Sequence, residues 1–281
     1  MPDGWQWDSS LFRGSAPHYE RGRVPYAPGF ARTLAGVLGL DGRGRLLDVG
    51  CGPGTVALAV APYVGEVVGV DPDEDMLAEA ARGAGRRGVG NARWVAARAE
   101  ELPAGLGEFR AVVFAQSFHW TDRDRTAAVV REMLEPGGVF VLLAESRNPP
   151  AVTTPLPRPA PPYERIAALV RRYLGPVRRA GQGTLVNGTP GREELVLARA
   201  GFGDVERHVV PAGDVVDRPA DALVAWVFSR SDAAPHLFGD RLPEFEGELR
   251  ALLREAAPDG RFAEHRPPTE IRIWRTPSRG R

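Results

Sequence analysis

The sequence predicts an α/β protein built on a seven-stranded, doubly wound sheet, with a cap inserted after the fifth strand. Three observations carry this expectation. Short apolar runs alternate with amphipathic stretches from about residue 31 to 147, the pattern of parallel strands with helices on both faces. Two more strand-like runs follow beyond residue 200. Between these groups, residues 148–162 hold seven prolines, which fix an extended backbone and donate nothing to a sheet ladder.

Taken in order, residues 1–30 read as an aromatic, loop-like lid segment with "PHYERGRVPY" as its most distinctive part. The core, 31–147, contains "RLLDVG" (45–50), "EVVGVD" (66–71), "ARWVAA" (92–97), "RAVVFAQ" (110–116) and "GVFVLLAES" (138–146) as strands. These runs are mostly unalternated and bounded by Gly, Pro or Asp, which suits strands covered on both faces. Thr55–Tyr63, Asp73–Ala84 and Asp122–Leu134 read as the intervening helices, the last halted by "EPGG". The cap is expected over 148–200, with "YERIAALVRRYLG" (163–175) as its helix. Residues 201–281 are expected to complete the sheet through "GDVERHVVPAG" (203–213) and "TEIRIWRTP" (269–277), with two helices between them.

Composition narrows the function. The 281 residues carry 36 basic and 36 acidic side chains, so no net field favours nucleic acid or an anionic membrane. Every basic residue is arginine, which excludes lysine-based chemistry and points to a GC-rich genome. The single cysteine, Cys51, forms no intrachain disulfide and reads as a small packed residue. The first ten residues are neither basic nor apolar enough for a signal peptide, and no apolar run approaches the ~20 residues that span a bilayer. A cytoplasmic location is expected, with a small-molecule substrate and no metal, membrane or nucleic-acid partner.

The stretch "LLDVGCGPGT" (46–55) carries the chemistry. Gly50, Gly52 and Gly54 follow a strand that contains Asp48, so the bare main chain there approaches something closely. A dinucleotide fingerprint requires a third small residue where Thr55 stands, and a P-loop requires a lysine. Asp71 ends the second strand, and its two acceptor oxygens suit the hydroxyl pair of a ribose. Capping of the next helix is its alternative task, which Asp73 is also placed to perform.

With "VVGVDPDEDML", "AARAEELP", "FAQSFHWTDR" and "REMLEPGGVFVL" following in order, residues 45–143 resemble the class I S-adenosylmethionine-dependent methyltransferases, whose core is a Rossmann-like sheet. "SFHW" before Asp122 and "YERGRVPY" upstream resemble the small-molecule, type 11 and trans-aconitate methyltransferase branch. The resemblance implies that Gly50, Gly52 and Gly54 admit the methionine part of the cofactor, with Asp48 near its ammonium. It implies that Asp71, with Pro72 beside it, holds the ribose, and that Ala99 and Glu100 meet the adenine. Gln116 would line the cofactor, and Tyr19 and Arg23 would close over its carboxylate. One departure concerns the position of Arg98, where the family often has an aspartate; arginine accepts no hydrogen bond from an adenine amino group.

In-line methyl transfer needs alignment above all, and a base only where the acceptor loses a proton. His119 is the candidate catalytic base, with Glu145 in reserve, while a pocket-wall role for His119 stands beside the first reading. Trp120 reads as core and His208 as structural. "NPP" at 148–150 imitates an amide- and adenine-methylating motif, but follows the fifth strand and precedes Ala151. The expected activity is methyl transfer to a small organic acceptor, at oxygen before nitrogen or carbon, in secondary metabolism, releasing S-adenosylhomocysteine. The alternative is a protein of this fold that binds the cofactor without transferring methyl groups. Acceptor specificity is expected in 1–30, 148–200 and 214–265.

Overall fold

Seven strands form one sheet in the order β3-β2-β1-β4-β5-β11-β8. The computed structural model describes residues 8, 10–146, 154–177, 179–180, 183–184 and 192–276. Strands β1 (Arg45–Val49), β2 (Glu66–Asp71), β3 (Ala92–Ala96), β4 (Phe109–Ala115) and β5 (Leu134–Glu145) pair in parallel. At the far side, β11 (Thr269–Arg275) runs antiparallel to both β5 and β8 (Val205–Val210). The chain reverses its winding between β1 and β4, and a crevice opens at the carboxyl ends of the strands at such a switch point.

Side-chain alternation explains why both faces are apolar. Leu47, Val112, Phe114, Phe140 and Trp274 point to one face, where α5 (Arg123–Met133) and α7 (Glu193–Arg199) cover them. Leu46, Val113, Val141 and Ile273 point to the other, beneath α2 (Phe30–Leu38) and α3 (Thr55–Val60). With neighbouring side chains buried on opposite faces, the strands read as unbroken apolar runs. Helix α4 (Glu74–Arg87) links β2 to β3, capped by Asp73, whose carboxylate accepts from the N–H groups of Asp75 and Met76. Phe140 is the aromatic hub of its face, stacked on Phe114 at 4.9 Å and edge-on to Phe118 at 5.2 Å. Those rings anchor the turn that follows β4.

A helical layer forms a third core. Ile166 and Leu169 of α6 (Tyr163–Leu174) meet Leu223 and Phe228 of α8 (Ala220–Phe228) and Phe245 and Leu249 of α9 (Leu242–Ala256). The strands β9 (Val215–Pro219) and β10 (Arg261–His265) pair antiparallel and form the neck of this excursion from the sheet. Arg266 closes the neck on Asp214 at 2.9 Å. The two-residue strands β6 (Arg179–Ala180) and β7 (Gly183–Thr184) pair with each other.

Three expectations change. Of residues 148–200, α6 joins the helical layer, whereas Val196 and Leu197 of α7 pack into the sheet core. Of residues 201–281, only β8 and β11 join the sheet, and 215–265 supply most of the cap. The amino-terminal segment is not all loop, because Ala16–Gly22 form α1. Gly22 permits α1 to lie against α8, since a Cβ there would stand 2.5 Å from the backbone of Ala225. The "NPP" at 148–150 falls outside the described residues. Among the described residues, no helix is long and apolar enough to cross a membrane.

Candidate active site

The switch point between β1 and β4 opens into a cleft with about 880 Å³ of empty space, part of it open to solvent. Its floor is the turn after β1, where Gly50, Gly52 and Gly54 all take positive φ, at 68°, 52° and 76°. The three glycines serve different ends. A Cβ on Gly50 would strike the Ser117 Cβ at 2.5 Å, and one on Gly54 would strike the Trp94 ring at 2.7 Å. A Cβ on Gly52 would meet nothing within 4 Å, and this residue lines the cleft. Gly52 is therefore the position where bare main chain faces ligand space, while Gly54 is needed for helix–strand packing and is not part of the lining.

Asp71 is fixed from two sides. Its Oδ2 accepts the Gly52 N–H at 2.8 Å and its Oδ1 accepts the Asp73 N–H at 2.9 Å. Each oxygen has a lone pair left for a ligand hydroxyl. Burial pushes its pKa up to about 6, the two N–H donors working against the rise and the nearby Asp73 carboxylate adding to it. Capping of α4 falls to Asp73, which leaves Asp71 to the cleft.

Asp48 lies wholly buried and does not line the cleft. Its Oδ2 accepts the Ala57 N–H at 3.0 Å, while its Oδ1 has no hydrogen-bond partner. Burial raises its pKa to about 7; the Ala57 N–H opposes this and the Asp71 charge reinforces it. Cys51 is buried in the same turn, and its thiol pKa is pushed up by that burial.

The remaining sequence-selected residues divide. Tyr19, Pro72, Ala99, Glu100 and Gln116 line the cleft, as Gly50 does. Gln116 takes φ 58°, left-handed for a non-glycine residue, with its N–H held by the Leu143 carbonyl at 3.1 Å. Strain of this kind collects at ligand sites. Glu100 Oε1 accepts the Asp122 N–H at 2.7 Å, which ties this wall of the cleft to the start of α5. Arg98 lines the cleft and leans toward Glu101 at 3.6 Å. Arg23 stands outside the lining: its Nη2 donates to the Ser229 carbonyl at 2.8 Å, and its guanidinium lies 4.9 Å over the Tyr19 ring. His119 occupies the short turn Phe118–Trp120 and is not part of the lining either, its ring 5.2 Å from that of Trp120.

Trp120, read from sequence as core, instead lines the cleft, with Phe12 edge-on at 5.7 Å. Leu11, Met76, Ser117 and Thr121 also contribute wall. Ser117 carried a signal in its position just past β4 at the switch point; Leu11 and Phe12 carried none.

Comparison with known proteins decides the family. Residues 46–138 match the family model of a methyltransferase domain. An uncharacterized methyltransferase of Mycobacterium tuberculosis is 32% identical over 225 residues, which cover 80% of this chain and 78% of that protein. The chain belongs to the S-adenosylmethionine-dependent methyltransferases. An uncharacterized methyltransferase of Bacillus subtilis, YcgJ, is 35% identical over 100 residues, 35% of this chain and 40% of its own. Among solved structures, a methyltransferase from Thiobacillus denitrificans in complex with S-adenosylhomocysteine aligns with a TM-score of 0.52 at 18% identity. That alignment covers 95% of this chain and 97% of the other, and it shows the shared fold.

The cofactor of this methyltransferase is S-adenosylmethionine, and the residues present fit it. Gly52 leaves the main chain open to the cleft, Asp71 keeps acceptor capacity for a ribose, and the orphaned Asp48 Oδ1 leaves an unpartnered acceptor beneath the turn.

Proposed function

We propose that this enzyme methylates a small organic acceptor at oxygen, in the space between the carboxyl edge of the sheet and the helical cap. The observation that carries the reading is the cap itself. Helices α6, α8 and α9 share one core, and α1 joins this layer to α4, the helix that follows Asp71; a helical layer beside the cleft suits a small acceptor better than a polymer. A formal charge of zero agrees with this, since nucleic-acid binding is driven by phosphate neutralisation. The arginine-only composition fits a GC-rich genome and a role in secondary metabolism, and the cytoplasm supplies the cofactor.

Bound S-adenosylmethionine supplies a methyl group activated on a sulfonium. The chain contributes alignment: Asp71 takes the ribose hydroxyls, the Gly50–Gly52 turn admits the amino-acid portion, and Glu100 and Ala99 bound the adenine. Trp120 and Tyr19 close the wall and exclude water. Holding donor and acceptor in line removes much of the entropic barrier to their reaction. Incubation with methyl-labelled S-adenosylmethionine and pooled small metabolites tests the reading. Label should pass to a small hydroxylated acceptor, giving an O-methyl product with stoichiometric S-adenosylhomocysteine; tight donor binding without any transfer to the pool would overturn it.

A further inference from the structure

Glu145 ends β5 on the carboxyl edge, in register with Thr269 of β11. The sheet order sets the site out strand by strand: Asp71 ends β2, the glycine turn leaves β1, Gln116 follows β4 and Glu145 ends β5. Adjacent strands are about 4.8 Å apart, so the Glu145 backbone stands roughly 5 Å beyond the strand of Gln116 and roughly 10 Å beyond β1. It is on the side opposite Asp71. A donor gripped at Asp71 and running across the glycine turn presents its reactive end toward β5.

The Glu145 side chain is exposed, lies beyond the residues that line the cofactor cleft, and accepts no hydrogen bond from a described residue. Groups from three other segments face it: Arg23 and Tyr26 between α1 and α2, Tyr163 of α6, and Glu264 of β10. Glu264 is half engaged: its Oε2 takes the Tyr163 hydroxyl at 2.7 Å, while its buried Oε1 lies 3.1 Å from Arg218 Nη1 without a hydrogen bond. Arg23 is tethered to the end of α8. Of the two acids, Glu264 is held against Arg218 and Tyr163, whereas Glu145 is the exposed one, with no ion pair to a described residue. Surrounding protein raises its pKa; Arg23 opposes the rise and Glu264 adds to it, which makes the carboxylate a stronger base than a solvated one. Tyr26 and Tyr163 are themselves pushed up by burial, so they remain protonated and do not compete.

Glu145, Glu264, Arg23 and Arg218 sum to zero charge, so the group as a whole favours neither sign of ionic acceptor. The cap side is aromatic, with Tyr163 packed on Trp226 at 4.7 Å between centroids, and aromatic walls favour planar apolar ligands. We propose that Glu145 is the proton acceptor for a neutral phenol-type substrate lodged between β5 and the cap. The assignment rests on the methyl-transfer reading above. The phenolic oxygen bonds to the methyl carbon as the donor's carbon–sulfur bond breaks, the bonding pair staying on sulfur. The hydroxyl proton passes to a Glu145 oxygen and from there to solvent.

Phenol is the probe, with benzylamine and benzoate as charged controls, each at millimolar concentration with S-adenosylmethionine. The wild-type protein should bind S-adenosylhomocysteine by calorimetry and convert phenol to anisole in preference to either control. Glu145→Gln should lower anisole formation about a hundredfold, the scale of one general base, with S-adenosylhomocysteine affinity changed less than twofold. With donor kept saturating at every pH, so that Asp71 and Asp48 do not limit the rate, kcat should fall toward acid pH in the wild type, and that limb should vanish in Glu145→Gln and persist in Glu145→Asp. Equal phenol turnover by Glu145→Gln, a tenfold loss of its S-adenosylhomocysteine affinity, or preference for a charged control overturns the proposal. So does a donor-binding wild-type protein that leaves phenol untouched. A wild-type protein that ignores the donor refutes the methyl-transfer reading itself, and this inference falls with it.

Discussion

The Gly52 N–H donates to Asp71 Oδ2 at 2.8 Å, so the turn after β1 and the end of β2 form one hydrogen-bonded unit. The contact sets the carboxylate against the floor of the cleft before any ligand arrives. Asparagine preserves the size of Asp71 but offers one oxygen where two N–H donors converge, from Gly52 and Asp73. Asp71→Asn should weaken S-adenosylhomocysteine binding about ten- to a hundredfold, the value of one hydrogen bond to a charged group of about 1.5–3 kcal/mol. Isothermal titration reads this directly.

Acidity should act on the same unit. The pKa of Asp71 is raised to about 6 and that of Asp48 to about 7, so the empty protein keeps protons on both into the weakly acidic range. A ligand that prefers the anions must displace those protons. Affinity for S-adenosylhomocysteine should be level above about pH 7 and fall with acidification, by about tenfold per pH unit below 6 for each proton released. Titrations between pH 5 and 8, in buffers of different ionisation enthalpy, will show proton release at pH 6 and little at pH 8.

Much of this was legible in the sequence, for identifiable reasons. The runs at 45–50 and 66–71 became β1 and β2 because strands covered on both faces need no alternation. Asp71 announced itself by ending one of them. The cap resisted reading because three separated segments build it, and α8 buries residues nearly all round, so no periodicity shows which neighbour it faces. Gly54 read as a ligand-facing glycine because its true constraint, the ring of Trp94, lies forty residues away in sequence. The left-handed turn at Gln116 lies between Phe114 and Phe118, whose rings both pack on Phe140, a meeting that only the folded chain makes.

Two glycines of one turn should therefore fail differently. In Gly52→Ala the methyl enters open cleft, so the main fold cost is the left-handed backbone, about 1–2 kcal/mol. Gly54→Ala carries the same backbone cost and adds overpacking against Trp94 and Ala80, a further 1–3 kcal/mol or so. Thermal melts should rank Gly54→Ala several degrees below Gly52→Ala, while calorimetry should show the greater loss of S-adenosylhomocysteine binding in Gly52→Ala. Equal loss of binding in both would remove the distinction.

Asp48 trades stability for charge. Its folded pKa is raised, so the folded state binds more protons than the unfolded state between about pH 4 and 7. Stability from this group is present below about pH 4 and is lost as pH rises toward 7. Asp48→Asn does not titrate, so its melting temperature should pull ahead of wild type across that window, by an amount worth a few kcal/mol in order of magnitude. The same variant should bind S-adenosylmethionine more weakly, since the charge beneath the turn is gone. A constant difference in melting temperature from pH 4 to 8 would contradict the buried-charge account.

The pair His119 and Trp120 offers the sharpest contrast with the expectation from sequence, which gave the first a catalytic part and the second a place in the core. Trp120 lines the cleft beside Ser117 and Thr121 and meets Phe12 edge-on, whereas His119 stands behind it in the same turn. Removing the indole opens the wall and deletes its packing with Phe12; a large buried aromatic truncated to alanine costs about 3–5 kcal/mol, and a half-buried one less. Trp120→Ala should weaken S-adenosylhomocysteine binding at least tenfold in calorimetry. His119→Asn keeps a polar side chain in the turn without touching the wall, so donor binding should stay within about threefold, well under the 1.4 kcal/mol of a tenfold change. If His119→Asn abolished methyl transfer while leaving donor affinity intact, the imidazole would have to reach the acceptor by a rearrangement of the 118–120 turn, and Phe118, wedged between Phe114 and Phe140, is what holds that turn still.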